Sequence, residues 1–240
     1  MGKVIFAASG KGGVGKSVLI SNLGAVYAER GIRVAMVDMN IGLRNLDIYM
    51  GLENRVVYDI ADVLSGLVPP RRAMVKDKRF QALYFLATTH NKEKFTYGAD
   101  DIAVLYAYLR ELFDIVLVDG PAGLGAELKL AMTGVDKAII VTTPEYVSLR
   151  DADHADQILR AGGITDRVYI VNKVNASYFA SGLLPTVEII TSMMKIPLIG
   201  VVQYDDAIHV SGNSGTPAVL RGDSYITRNF EKIADRLLAI

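Results

Sequence analysis

Eight residues near the start of the chain have the types and the spacing that bind phosphate. The stretch SGKGGVGKSVLI follows an apolar run, and its residues 10–17 fit the pattern G-x-x-x-x-G-K-[S/T]. Glycines let successive backbone N–H groups turn inward on a phosphate, and the following helix points its positive end at the same place. Lys16 would reach the β- and γ-phosphates, and Ser17 would place its hydroxyl on Mg²⁺. The spacing favours a phosphate loop over a glycine-rich turn that only closes a strand–helix unit.

Two aspartates at strand ends are the candidates for the rest of a metal site. In FDIVLVDGPAG, Asp119 ends a fully apolar run, and Asp38 ends the earlier run RVAMVD. A carboxylate in this position can bind magnesium through its water shell. An aspartate at a strand end is common, but one that follows a phosphate loop in the same sheet is a specific signal. We therefore predict Ser17, Asp38 and Asp119 as the metal site.

One amide near the same sheet edge has an open role. Asn172, in the stretch VNK, ends a later strand. Its side chain could donate to and accept from adenine N6 and N7 at once, or it could simply cap a loop. The residues alone leave these two roles equally supported.

Short apolar runs alternate with helix-like segments along the chain. The runs, which lack polar alternation, lie at residues 3–9, 33–38, 83–88, 113–120, 137–143, 167–173 and 197–202. The helix-like segments lie at 16–30, 56–67, 100–111, 148–161, 185–194 and 223–239. Strands of this kind occur in parallel sheets that helices cover on both faces. We predict one α/β domain over residues 1–240, with a doubly wound, mostly parallel sheet and a ligand at the carboxyl ends of its strands.

Composition excludes several classes of protein. The 240 residues contain no cysteine, which removes disulfides, thiolate metal sites and iron–sulfur ligation. The 26 basic residues balance 26 acidic ones, so bulk electrostatic binding of nucleic acid is not expected. No apolar run approaches the ~20 residues of a membrane span, and the start of the chain shows no signal peptide. We expect a cytoplasmic protein.

Two other features look like ordinary surface. The basic run RRAMVKDKR, residues 71–79, could meet anionic lipid or DNA, but a solvated face is the better interpretation. The three histidines, His90, His154 and His209, are far apart and lack metal-ligand spacing.

The loop KGGVGKS resembles the deviant Walker A loop of the ParA/MinD family of P-loop NTPases. In that family the early lysine, which is Lys11 here, reaches the partner's phosphates across a nucleotide-sandwich dimer. The MinD branch is indicated by IGLRNLDIYMGLENRVVYDIADVL at 41–64, and by DGPAG, PEYVSLRDAD and GNSGTPAV further on. The resemblance covers nearly the whole chain. The branches that carry iron–sulfur clusters need cysteines, which this chain lacks.

The resemblance implies an ATP-driven switch in placement of the division site, a monomer with ADP and a homodimer with ATP and Mg²⁺. The dimer surface would recruit MinC-like and MinE-like regulators. Phosphate contacts would come from Gly10, Lys11, Gly12, Gly13, Val14, Gly15, Lys16, Ser17 and Val18, and the base contact from Asn172. A ParA-like DNA-partitioning or flagellar-placement ATPase remains an alternative, although specific DNA binding is not expected.

The resemblance also assigns roles to several charged residues. Arg44, Asn45 and Asp47 would belong to a first switch region, and Asp151 and Asp153 would lie near the partner-binding face. From the sequence alone these side chains are equally well explained as solvated surface or as helix N-terminal caps.

The chain departs from the family at the position that handles the attacking water. The family has aspartate where this chain has Asn40, which we group with Lys11 and Lys16 as the catalytic set. An amide keeps the shape and can accept a hydrogen bond, but it cannot take a proton. If the residue is a general base, the rate should fall on the order of 10²–10⁴-fold; if it only positions water, the loss is smaller. Asparagine also suits a tight turn. A hydrolysis-deficient ATP-binding scaffold is therefore a second hypothesis.

Three further departures concern the edges of the site. Val18 replaces a hydroxyl that touches the α-phosphate, a loss of about 1 kcal/mol. Gln203 and Tyr204 replace a proline-led turn near the base pocket. The sequence ends at Ile240, before the basic amphipathic helix with which MinD proteins reach the membrane, so we expect membrane contact only if such a helix is restored.

Overall fold

Eight strands form one sheet in the computed structural model, which describes residues 1–239. In chain order the strands are β1 (Lys3–Ala8), β2 (Val34–Asp38), β3 (Val75–Lys76), β4 (Leu83–Leu86), β5 (Ile115–Asp119), β6 (Lys137–Thr142), β7 (Asp166–Val174) and β8 (Leu198–Gln203). Their order across the sheet is β3-β4-β2-β5-β1-β6-β7-β8, and every pair is parallel except β3 with β4. The predicted doubly wound α/β fold is confirmed.

Helices cover the sheet on both faces. They are α1 (Lys16–Glu29), α2 (Leu46–Met50), α3 (Ile60–Leu64), α4 (Pro70–Ala73), α5 (Ala99–Leu112), α6 (Ala126–Ala131), α7 (Tyr146–Ala161), α8 (Ala176–Ala180), α9 (Val187–Met193), α10 (Asp206–Asn213) and α11 (Tyr225–Ala239). Within residues 1–239, no helix combines the length and the apolar character that crossing a bilayer requires.

Alternate residues of the central strand β1 serve two separate cores. Ile5 belongs to the core that α1 and α11 cover, and Phe6 belongs to the opposite core, which contains residues of α5 and α7. Both side chains are fully buried. Because successive side chains of a strand point to opposite faces, a strand buried on both sides is apolar throughout. This is why the sequence showed unbroken apolar runs.

The order of the strands fixes where a ligand can bind. The chain leaves β1 between β5 on one side and β6 on the other, which is the switch point of a doubly wound sheet. Asp38 and Asp119, the last residues of β2 and β5, lie side by side in register. The residues 10–17 loop follows β1, next to β5 in the sheet. The sheet therefore brings the predicted phosphate and metal residues to one edge.

The structure contains short elements that the sequence patterns did not reveal. They are β3 and the helices α2, α4, α6, α8 and α10. The predicted helix over 56–67 is also shorter, because α3 begins at an Asp59 cap and ends before Gly66, which has a φ of 78°. The Asp59 carboxylate accepts from Ala61 N at 2.8 Å, while Asp62 accepts from Asp59 N at 3.0 Å. Such short helices are set by local hydrogen bonds rather than by an apolar period.

The basic residues of the 71–79 run are exposed, and one of them, Arg79, also makes internal contacts. Its guanidinium pairs with the buried Asp77 carboxylate at 2.6 Å. It also donates to Met50 O at 2.6 Å and to Gly215 O at 3.1 Å. Arg79 thus ties the β3–β4 turn to the end of α2 and to the loop after α10.

Candidate functional site

Lys16 lies buried on the floor of a cleft at the carboxyl edge of the sheet. Its Nζ donates to Ser9 Oγ at 2.7 Å, and that hydroxyl in turn donates to Lys11 O at 2.8 Å. Burial lowers the pKa of Lys16, while the nearby Asp119 and Asp38 carboxylates raise it. The start of α1 therefore places a cation where the helix N-terminus already favours an anion.

Ser17 and Asp119 contact each other directly. The Ser17 hydroxyl donates to Asp119 Oδ2 at 2.5 Å, and the other carboxylate oxygen, Oδ1, is buried without a hydrogen-bond partner in the described part of the chain. Burial raises the pKa of Asp119 to about 6, against the opposing effects of the Lys16 ammonium and of the Ser17 hydrogen bond. A buried oxygen with no partner is costly unless a ligand completes it.

The residues present fit magnesium. A hydroxyl, a carboxylate with an unpartnered oxygen and a second carboxylate nearby are hard oxygen donors, which magnesium prefers. Within residues 1–239, no group of three or more His, Cys, Asp or Glu side chains could hold a metal. Magnesium bound with a nucleotide needs no such cage, because it uses one or two protein oxygens with phosphates and waters.

Asp38 accepts three hydrogen bonds from the backbone that follows it. The donors are Asn40 N at 2.8 Å and the N–H groups of Asn45 and Leu46, both at 3.1 Å. Burial and the neighbouring Asp119 charge raise the pKa of Asp38, which these hydrogen bonds oppose. Asp38 therefore shapes the loop over 39–46, in addition to lying next to Asp119.

Hydrogen bonds hold the backbone of Asn40 in place but do not involve its side chain among the described residues. Its carbonyl accepts from the N–H groups of Leu43 and Arg44, both at 3.1 Å. The side-chain amide lines the cleft and makes no hydrogen bond within the part of the chain that the structure describes. The position is thus fixed toward the cleft, whichever side chain occupies it.

Asn172 and the next residue hold the phosphate loop from its outer side. Asn172 Nδ2 donates to Val14 O at 2.7 Å, and Lys173 Nζ donates to Gly13 O at 2.7 Å. A Cβ on Gly15 would lie 2.2 Å from Asn172 Nδ2, so only glycine fits there. Asn172 therefore contacts the phosphate loop, and its contact with adenine stays a prediction. Nothing in the sequence patterns pointed to Lys173.

Lys11 and Gly10 are neighbours in the loop with different surroundings. Lys11 is exposed, and its ammonium has no hydrogen bond or ion pair among residues 1–239. A Cβ on Gly10 would lie 2.4 Å from Asp151 O, so the loop packs directly on the backbone of α7. Asp151 is therefore adjacent to the phosphate loop, whereas the Asp153 carboxylate accepts from Gln157 on the same helix at 2.8 Å.

The predicted switch residues Arg44 and Asp47 form an internal ion pair. Arg44 Nε lies 2.6 Å from Asp47 Oδ2, and the Asp47 side chain is only 2% exposed. The pair is not solvated surface. Asp47 Oδ1 also accepts from Ile48 N at 2.9 Å in the first turn of α2, which is a contact at the helix N-terminus. Asn45 precedes α2 without a side-chain cap and contributes its N–H to Asp38. Arg44 has a φ of 44°, a conformation that few residues other than glycine adopt.

These residues surround a cleft of about 340 Å³. Of the predicted site residues, it is lined by Gly12, Gly13, Gly15, Lys16, Ser17, Val18, Asn40 and Asn172. Val14 points into the core, and Asp38 and Asp119 lie buried beneath the loop. Lining residues that the sequence did not reveal include Leu43, Tyr49, Lys173, Asp205, His209 and Asn213. Several of these lie on α2 and α10, the short helices that have no clear periodic signal.

Comparison with known families matches residues 1–238 to the ParA family, whose description reads NUBPL iron-transfer P-loop NTPase. Comparison with curated proteins finds the septum site-determining protein MinD of Bacillus subtilis, 38% identical over 240 residues. That match covers 99% of this chain and 90% of the relative.

Two solved structures share both the fold and substantial sequence. The MinC:MinD cell division protein complex of Aquifex aeolicus matches with a TM-score of 0.88 and 37% identity, over 99% of this chain and 96% of that one. The septum site-determining protein MinD of Pyrococcus horikoshii, complexed with Mg-ADP, matches with a TM-score of 0.89 and 29% identity, over 100% of this chain and 98% of that one.

Proposed function

Because the chain belongs to the MinD branch of the ParA family of P-loop NTPases, we propose that it binds Mg-ATP in the cleft and switches between monomer and dimer according to the bound nucleotide. The observation that carries this proposal is the floor of the cleft. There the buried Lys16 ammonium, the Ser17 hydroxyl and the Asp119 carboxylate lie together under a glycine loop at the start of a helix. A relative with this fold is complexed with Mg-ADP.

Each floor residue has a defined task in this proposal. The loop N–H groups and Lys16 bind the phosphates, which are fully charged and need fixed donors. Ser17 and Asp119, with Asp38 beside them, would hold magnesium, which supplies charge neutralisation at the β- and γ-phosphates. Val18 offers no hydroxyl to the α-phosphate. Asn172 has one further N–H and one lone pair left with which to meet adenine.

Calorimetry with the purified chain tests nucleotide binding. We expect ATP and ADP to bind with low-micromolar affinity or tighter when Mg²⁺ is present, and at least tenfold more weakly with excess chelator. The physical reason is that the metal neutralises phosphate charge beside two buried carboxylates. Absence of magnesium-dependent binding would contradict the proposal.

The proposed ATP-dependent dimer depends on the exposed Lys11 side chain. In the proposal its ammonium reaches the phosphates of the partner's nucleotide, which explains why it has no hydrogen bond or ion pair among residues 1–239 of its own chain. The dimer surface beside the phosphate loop, which includes Asp151 of α7, would then recruit a MinC-like regulator and a MinE-like one. One relative, from Aquifex aeolicus, forms a complex of MinC with MinD. Light scattering with ATP and Mg²⁺ should give twice the mass found with ADP.

A second candidate function is an ATP-binding scaffold that hydrolyses slowly or not at all. The observation that favours it is Asn40, whose backbone is fixed toward the cleft while its amide cannot accept a proton. In this case the chain would still dimerise on ATP and recruit partners, and only release would be slow. Steady-state phosphate release separates the two functions: a measurable rate that exceeds the rate without protein by 10³-fold or more favours the switch.

A further inference from the structure

Two consecutive carbonyls of the phosphate loop are bound by neighbouring side chains of β7. Lys173 Nζ holds Gly13 O, and Asn172 Nδ2 holds Val14 O, each at 2.7 Å. The two side chains are themselves linked, because Asn172 Oδ1 accepts from Lys173 N at 2.9 Å. One short segment of β7 therefore forms hydrogen bonds with two successive peptide groups of the loop.

Because the peptide group is planar, these two hydrogen bonds also set the direction of the N–H groups that follow. In a trans peptide the C=O and the following N–H point in opposite directions. Holding Gly13 O therefore points Val14 N–H away from β7, and holding Val14 O does the same for the N–H of Gly15. Neither N–H donates a hydrogen bond within residues 1–239. Two adjacent free donors that point the same way form an anion-binding concavity.

Lys173 has an unusual backbone conformation at an irregularity in the pairing of β7 with β8. Its φ is 57°, in the left-handed region that non-glycine residues avoid. Its side chain is exposed and forms no ion pair in the described chain. Its ammonium donates instead to one loop carbonyl, Gly13 O. Local strain of this kind persists where the surrounding structure requires it, and it often marks a functional position.

We propose that Lys173 is a positioning residue which, with Asn172, points the N–H groups of Val14 and Gly15 at the nucleotide phosphate. This rests on the proposed nucleotide site and adds a residue to it. Lys173 acts through the loop and makes no contact with the base, so its contribution is the same for nucleotides with different bases. Lys16 and the loop glycines bind the anion, and Lys173 keeps the loop in the shape that lets them do so.

The test compares four variants by calorimetry with Mg-ADP and by thermal melting without nucleotide. Lys173→Met removes the ammonium and should weaken ADP about fivefold, the effect of losing one hydrogen bond. Lys173→Arg, whose guanidinium can still donate to Gly13 O, should stay within twofold of the parent. Lys232→Met, which removes an exposed lysine of α11, is the matched control and should change nothing.

Lys173→Gly separates positioning from general structural support. Glycine relieves the left-handed strain, so the melting temperature without nucleotide should be unchanged or higher while ADP affinity still falls about fivefold. A purely structural residue would lower the melting temperature and leave the affinity of the folded protein unchanged. The affinity ratio of ADP to inosine diphosphate should stay within twofold of the parent ratio in the Met and Gly variants.

The results that differ from these expectations contradict either the role of Lys173 or the proposed function. A Met variant that binds ADP as tightly as the parent overturns the positioning role, and a changed ADP-to-inosine-diphosphate ratio would show that Lys173 contacts the base instead. Failure of the unmodified chain to bind Mg-ADP would contradict the proposed function itself. Normal binding by the parent and by the Met variant would contradict only the role of Lys173.

Discussion

The floor and the rim of the cleft differ in how far the chain satisfies its own polar groups. On the floor, Lys16 and Ser17 are hydrogen-bonded to Ser9 and Asp119, and Lys16 and Asp119 are buried; Asp119 Oδ1, the oxygen proposed to meet magnesium, is the exception and has no partner among residues 1–239. On the rim, the ammonium of Lys11 and the amide of Asn40 make no hydrogen bond among residues 1–239. The fold thus organises the groups that bind phosphate in advance. It leaves free the groups proposed to act on the γ-phosphate, on water or on a second chain.

This difference predicts that rim variants change events after binding, and that floor variants change binding itself. The largest effect is expected on the rim. Asn40→Asp restores a group that can take a proton at a position already fixed toward the cleft. We expect steady-state phosphate release to rise on the order of 10²–10⁴-fold, with nucleotide affinity nearly unchanged.

The control for this experiment is Asn54→Asp, which adds the same charge in the exposed Glu53–Arg55 turn outside the cleft. It should release phosphate at the parent rate. Equal rates for Asn40→Asp and the parent would rule out a lost catalytic carboxylate and leave only a water-positioning role for residue 40.

The next largest effect is expected on the floor. Lys16→Met removes the buried ammonium, and we expect ATP affinity to fall about 100-fold, since charge-assisted bonds to phosphate are among the strongest in proteins. Because burial lowers the pKa of Lys16, its charged form destabilises the fold at neutral pH. The free energy of unfolding without nucleotide should therefore stay the same or rise.

Calorimetry and thermal melting measure the two effects of Lys16→Met separately. Lys3→Met, at the exposed start of β1, serves as the control and should bind ATP as the parent does. A Lys16→Met variant that loses both stability and affinity would show that Lys16 holds the fold together rather than the ligand.

A smaller effect is expected for the metal contact of the floor. Ser17→Ala removes one oxygen from the predicted site, and Mg-ADP affinity should fall about tenfold. A more specific sign of a lost metal ligand is that ADP affinity with magnesium and ADP affinity with chelator differ less in this variant than in the parent. Ser192→Ala, which removes a hydroxyl that donates to Ile189 O within α9, should leave both affinities unchanged. If Ser17→Ala kept the full magnesium dependence, Ser17 would not be a metal ligand.

The smallest effect on affinity is expected for the rim lysine. Lys11→Ala should bind Mg-ADP within twofold of the parent, because the Lys11 ammonium makes no hydrogen bond or ion pair with the described residues of its own chain. Light scattering with ATP and Mg²⁺ should nevertheless show monomer. Lys195→Ala, at another exposed lysine, should dimerise as the parent does. If Lys11→Ala dimerised equally well, its proposed reach across the dimer would be wrong.

Most of the sheet could be predicted from apolar runs, but its small elements could not. Seven of the eight strands follow from the buried, parallel pattern. β3 has only two residues, Val75 and Lys76, and exists because it pairs with β4. α2 and α10 have five and eight residues, too few for a clear helical period. Tyr49 and His209 therefore reach the cleft from helices that no pattern revealed.

The sequence by itself determined the phosphate loop, the two carboxylates and the family. These follow from short patterns, because glycine spacing with a lysine and a hydroxyl marks the loop, and an aspartate at the end of an apolar run marks each strand end. Only the tertiary structure decided that Arg44 pairs with Asp47, that Asp38 shapes its own loop, and that Lys173 holds Gly13. Such contacts depend on which side chains the folded chain brings within hydrogen-bonding distance, and a linear pattern carries no information about that distance.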